Sequence, residues 1–121
     1  MKLHIYAYAT NSESAAGADF ELPEMRRLLS HWCNHPSLFD FFETLYFTRD
    51  GGKELFRGTT VRITEEDISR LAEKVAAGHL PRNSDWIFGD VDSSAVQSYE
   101  TFLEYARIAL KRGEYIVIHA V

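Results

Sequence analysis

The chain has one cysteine, three prolines and seven glycines, and from Asn83 to Ala106 it has no lysine or arginine. A single cysteine, Cys33, cannot close an internal disulfide, which fits a reducing, cytoplasmic compartment. No apolar run is longer than Ile5 to Ala9 or Tyr115 to Ile118, far short of the roughly 20 residues of a membrane-spanning helix. The start, Met1-Lys2-Leu3-His4, leads into a strand pattern and not into a signal-peptide apolar region. A soluble cytoplasmic protein with no membrane partner is expected. With 121 residues, 45% hydrophobic and 26% charged, there is room for one domain with a real core and not for two.

Basic charge is scarce as well: thirteen Lys and Arg stand against eighteen Asp and Glu, a formal charge of −5. Asp85, Asp90, Asp92, Glu100 and Glu104 all fall in the base-free stretch, so thirteen acids and thirteen bases remain elsewhere and the imbalance belongs to that one segment. A chain of this charge lacks the field that non-specific nucleic-acid binding uses. Such binding would have to rest on a local patch, and none is obvious in the sequence, so no direct nucleic-acid partner is expected.

Along the chain, Leu3, Ile5, Ala7 and Ala9 alternate with His4, Tyr6 and Tyr8, the period of a half-buried strand. Residues 11–19 carry no large apolar side chain and read as a mobile loop. From Leu22, the spacing of Met25, Leu28, Leu29, Trp32 and Cys33 predicts a helix with Pro23 in its first turn and Pro36 as its stop. A second, aromatic helix follows on Leu38, Phe39, Phe41, Phe42, Leu45 and Tyr46. Arg49-Asp50-Gly51-Gly52 is a turn, and residues 55–63 read as a strand. Thr64 with Glu65, Glu66 and Asp67 forms a capping box that starts a helix with Ile68, Leu71, Ala72 and Val75 inward and Gly78 as its stop. Trp86-Ile87-Phe88 is a short strand or a buried anchor. Asp92 or Ser94 caps a last helix whose inward stripe is Val96, Tyr99, Leu103, Ala106 and Leu110. It ends at Gly113, and residues 115–121 close the chain as a strand. This order, β-α-α-β-α-(β)-α-β, predicts a single α+β domain over 1–121, with one three- to four-stranded sheet, about four helices packed on it and the strand order open.

His31, Cys33 and His35 are the nearest thing to a chemical cluster. On one regular helix the two imidazoles share a face while Cys33 points about 160° away, so the three cannot converge on a metal. Trp32 and Cys33 are expected in the core. His4 and His119 lie in terminal strands that could pair, but two ligands do not make a site. Phe88-Gly89-Asp90-Val91-Asp92 looks like the Asp-x-Asp loop of haloacid dehalogenase-type enzymes, without room for their sheet and further motifs. As a calcium loop from Asp90 it has Ala95 at the turn glycine and Thr101 at the bidentate glutamate. Asp50-Gly51-Gly52-Lys53 lacks the Lys-Ser/Thr pair of a P-loop, and no serine stands in a Gly-x-Ser-x-Gly elbow. No catalytic residue, metal or cofactor is expected.

The sixteen Phe, Tyr and Trp residues are more than a small core easily hides. In the base-free stretch Trp86, Phe88, Tyr99, Phe102 and Tyr105 sit among the five acids. An acidic surface with aromatic anchors suits a basic protein partner, with Trp86, Asp90, Asp92, Glu100 and Glu104 as its contact residues. A homodimer would cover exposed aromatics and a terminal strand by symmetry.

Trp32-Cys33-Asn34-His35-Pro36, then Leu38 and the aromatic helix ending in Leu45-Tyr46, resemble a family of small uncharacterised bacteriophage and prophage proteins. Val61-Arg62-Ile63-Thr64-Glu65-Glu66-Asp67, Leu80-Pro81, Phe88-Gly89-Asp90 and the helix, glycine and strand from Phe102 to Ile118 extend the likeness over roughly three quarters of the chain. His119-Ala120-Val121 replaces that family's usual aromatic finish. Some members carry the label phosphoglycerate kinase, without that enzyme's two domains or nucleotide-binding features. The resemblance implies a phage or mobile-element accessory protein without an assigned substrate. Together with the acidic-aromatic segment it points to a non-enzymatic protein that binds a host or phage protein. The alternative is a small metabolite- or nucleotide-binding protein or small enzyme using the His31/Cys33/His35 and Asp90/Asp92 regions.

Overall fold

In the computed structural model, which describes residues 4–13, 17–33, 35–49, 51–52, 56, 58–77 and 93–121, the alternating N-terminal segment forms strand β1, His4–Thr10. Ile5, Ala7 and Ala9 are buried, while His4, Tyr6 and Tyr8 point the other way and are half-buried. That is the side-chain period of a pleated strand.

The helix expected from Leu22 does not form. Arg27–Cys33 is strand β2, antiparallel to β1 with Ile5 opposite Trp32 and Tyr6 opposite His31. Leu28, Leu29, Trp32 and Cys33 suit a helical stripe, yet the run is short enough that the same residues also fit a strand. The unpaired edge of β1 decides: its amides and carbonyls need partners, and residues 27–33 supply them. An irregularity between Ala7 and Tyr8, whose partners are Ser30 and Leu28, sets Leu29 outside the paired register. Leu29 packs against the core, and Leu28 stays exposed. Pro36 therefore opens a helix instead of stopping one, at the first turn of α1, Pro36–Thr48.

α1 is the aromatic helix expected there, with Leu38, Phe42 and Tyr46 fully buried. Strand β3, Thr60–Ile63, is shorter than the expected 55–63, of which residues 55 and 57 lie outside the described set. Helix α2, Glu65–Ala76, begins at the capping box read from the sequence: the Thr64 amide donates to the Asp67 carboxylate at 2.7 Å, and the Asp67 amide donates back to Thr64 Oγ1 at 3.4 Å. Arg49 ion-pairs with the same buried carboxylate from the end of α1, tying the two helices together. Helix α3, Ser93–Lys111, ends as expected at Gly113, whose φ of 80° is the left-handed geometry a glycine adopts freely. The Glu114 amide closes the turn on the Ala109 carbonyl at 3.0 Å. Strand β4, Tyr115–Ala120, follows.

The protein is thus α+β, with one four-stranded antiparallel sheet in the order β2-β1-β4-β3 and, among the described residues, three helices where about four were expected. β4 lies inside the sheet, paired on both sides, so the C-terminal strand offers no open edge for a second copy to cover. Residues 17–19 reach the outer edge of β3, where Ala18 bridges Val61 and the Arg62 amide donates to the Gly17 carbonyl at 2.9 Å. Residues 14–16 lie outside the described set.

The helices share one face of the sheet. Ile5, Ala7, Trp32, Val61, Ile116 and Ile118 point into one apolar cluster with Phe42, Ile68, Leu71 and Phe102. No helix of the described residues is long and apolar enough to cross a membrane.

Candidate functional site

Of the five residues expected to meet a partner, Trp86, Asp90 and Asp92 lie outside the described residues, as do Asp85, Phe88 and the Trp86-Ile87-Phe88 segment. Glu100 and Glu104 lie on the solvent side of α3. The aromatics beside them divide: Tyr99 and Phe102 face the core, and Tyr105 is 48% exposed, with Ile108 one turn on at 46%. Arg107 and Lys111 are exposed along the same helix, so its surface passes from acid to base.

Of His31, Cys33 and His35, the first two share a sheet face and the third stands apart. On β2, Cys33 pairs with His4 and His31 with Tyr6, which sets both side chains on the sheet face away from the helices. Cys33 is half-buried there and is not part of the core, because a strand sends adjacent residues to opposite faces and Trp32 takes the inward position. His35 caps α1 and turns toward α3, where its Nδ1 lies 2.6 Å from the Tyr99 hydroxyl. Burial lowers the pKa of His35 below its ordinary value and pushes the Tyr99 phenol up to about 12. Both causes favour the neutral forms, so a neutral imidazole meets a protonated phenol. Trp32 Nε1–H donates to Ser98 at 3.1 Å beside them, and the Trp32 ring meets Phe102 edge-on at 5.1 Å. These contacts join β2 and α1 to α3. Among the described residues no three of His, Cys, Asp and Glu are placed to hold a metal ion.

A group the sequence did not single out assembles on the open face. The Tyr6 ring lies face to face with His31 at 4.4 Å and 10°. Tyr8 follows along β1 at 6.1 Å and 12°, and His4 Nδ1 is 2.9 Å from His31 Nε2. His119 stands opposite Tyr6 on β4 and is tied by Nδ1 to the Thr59 carbonyl at 2.9 Å. Two guanidiniums cover rings on this face, Arg26 over Tyr8 at 5.0 Å and Arg62 over Tyr115 at 4.0 Å. The one available signal was the tyrosine and histidine alternation of β1. It shows an outward row but not the neighbours that β2 and β4 set beside it.

The chain from Phe20 to Met25 is anchored on this face at two points, one on β3 in the His119–Tyr6 row and one at the end of β1. Thr60 Oγ1 donates to the Phe20 carbonyl at 2.6 Å and Thr10 Oγ1 to the Met25 carbonyl at 2.7 Å. Next to it lies a cleft of about 760 Å³ with Glu21, Glu24, Arg26, Arg27 and Glu114 in its wall. Its charges are mixed, and Arg27 already forms a two-pronged pair with Glu114 at 3.0 and 3.2 Å.

No family model, curated protein or solved structure matches the chain.

Proposed function

We propose that the protein is a non-enzymatic accessory protein of a phage or mobile element, acting in the cytoplasm by binding a basic protein partner through the outer face of α3. The observation that carries this reading is the half-exposure of Tyr105 and Ile108 in one patch with the exposed Glu100 and Glu104. Apolar anchors beside carboxylates bury area and select for positive charge at once. His35 stands apart from His31 and Cys33, so those three do not support a single site, and the Asp90/Asp92 part of the alternative lies outside the described residues.

Capture from a bacterial lysate tests the reading with three proteins: the wild type, a Glu100→Lys/Glu104→Lys variant and Tyr105→Ala. The wild type is expected to retain a partner that both variants lose. Equal capture by all three would remove α3 as the binding surface.

A further inference from the structure

We infer that the open face of the sheet binds single-stranded nucleic acid, by stacking bases on the Tyr8–Tyr6–His31 group and holding phosphates with the cations around it. This goes beyond the α3 reading and rests on other residues. The net charge of −5 argues against nucleic-acid binding unless a local patch exists. The strands build that patch from residues far apart in sequence.

The positions facing away from the helices are His4, Tyr6, Tyr8 and Thr10 on β1, Leu28, His31 and Cys33 on β2, Tyr115, Val117 and His119 on β4, and Thr60 and Arg62 on β3. Thr10, Val117 and Thr60 are buried, which leaves the half-buried and exposed ones around His4, Tyr6, Tyr8 and His31 as the accessible part. None of them is a carboxylate. Neither Arg26 nor Arg62 is ion-paired among the described residues; both lie on aromatic rings of the face. Tyr6 gives one ring face to His31 and the other to the β4 side, where no ring contact with His119 is made. A planar base has somewhere to lie, with a guanidinium at the Tyr8 end and imidazoles at the His4 end.

Charge complementarity selects this occupant. A second copy of the same face would set guanidiniums against guanidiniums, and like charges across an interface are costly. An acidic peptide would satisfy the cations but leave the rings without a planar partner. A single strand supplies both, because every base has a π-face and every linkage a phosphate.

Fluorescence anisotropy with a labelled oligothymidine, at low and raised salt, is the test. The wild type is expected to bind and to weaken as salt rises. Tyr6→Ala and His31→Ala are each expected to weaken binding by at least about five-fold, the loss of one stacked base. Tyr6→Phe keeps the ring and should bind like the wild type, as should Tyr105→Ala with Ile108→Ala, which disables only the α3 surface. Thermal melts of all variants check folding. No anisotropy change with the wild type, equal binding by Tyr6→Ala, or duplex bound as tightly as single strand would each overturn the proposal. So would a wild-type dimer in light scattering that Tyr6→Ala dissolves.

Discussion

The two faces of one sheet are made by alternate residues of the same strands, yet they differ in almost everything. Toward the helices stand Ile5, Ala7, Ile116, Ile118 and Ala120, all fully buried. Away from them stand His4, Tyr6, Tyr8, His31 and His119, half-buried or exposed, with imidazoles and phenols in place of hydrocarbon. The first face derives its stability from water exclusion and close packing. The second also buries Val117, Thr10 and Thr60, where residues 20–25 are bonded to it, but its phenols and imidazoles stay half-buried or exposed and are not part of the core. A surface that keeps aromatic groups in register without hiding them is where binding is to be sought.

The sharpest way to break this contrast is to cut into each face in turn. Phe102→Ala, in the fully buried helix layer, is expected to lose about 3–5 kcal/mol of stability in urea denaturation. If the protein tolerates it with less than about 1 kcal/mol, the helix side is not the packed core described. Next in size is Arg49→Ala. It leaves the Asp67 carboxylate, which is 3% exposed, without its cation, and should cost about 1–3 kcal/mol because a buried acceptor has lost a partner. On the open face Tyr6→Ala removes one cross-strand stack and should cost about 0.2–1 kcal/mol, within reach of the same denaturation curves. A loss as large as that of Phe102→Ala would mean that the open face is structural.

The smallest expected effect is a pH slope, and it belongs to the helix side. His35 has a lowered pKa in the folded state because burial disfavours its charged form. As the pH falls through 6.5 the unfolded chain takes up that proton first, so stability is greatest above 6.5 and declines toward acid. Tyr99, raised to about 12, acts in the opposite direction at the alkaline end. The unfolded phenol ionises first above about 10, and stability falls there too. Replacing His35 by Gln should flatten the acid-side slope in denaturation at pH 5.5 and 7.5; an unchanged slope would assign it to other groups.

How much of this was legible in the sequence depended on how local the cause was. The start of α2 was readable because Thr64 and Asp67 satisfy each other's backbone within four residues, whatever the rest of the chain does. β1 was readable from alternation, β4 as the apolar run after Gly113, and the end of α3 from Gly113 itself. β2 was not. Its apolar residues suit a helix about as well as a strand, and the choice was made by the hydrogen-bonding edge of β1, which no window around residues 27–33 contains. The same error carried Cys33 into an expected core and grouped His31 with His35, which face different parts of the molecule. The outward Glu100 and Glu104 and the inward Tyr99, Leu103 and Ala106 follow from the period of the last helix, while the inward turn of Phe102 came only with the packing of α3 on the sheet.

By itself, then, the sequence determined the α+β class, the strands at both ends, the caps that begin α2 and end α3, and the concentration of acid between Asn83 and Ala106. Each of these follows from residues that interact within a few positions of one another. Tertiary structure alone decided the order β2-β1-β4-β3, the strand at residues 27–33 and the meeting of His4, Tyr6, His31 and His119 on one surface. Those depend on backbone groups finding partners across long stretches of chain, and local spacing carries no record of that.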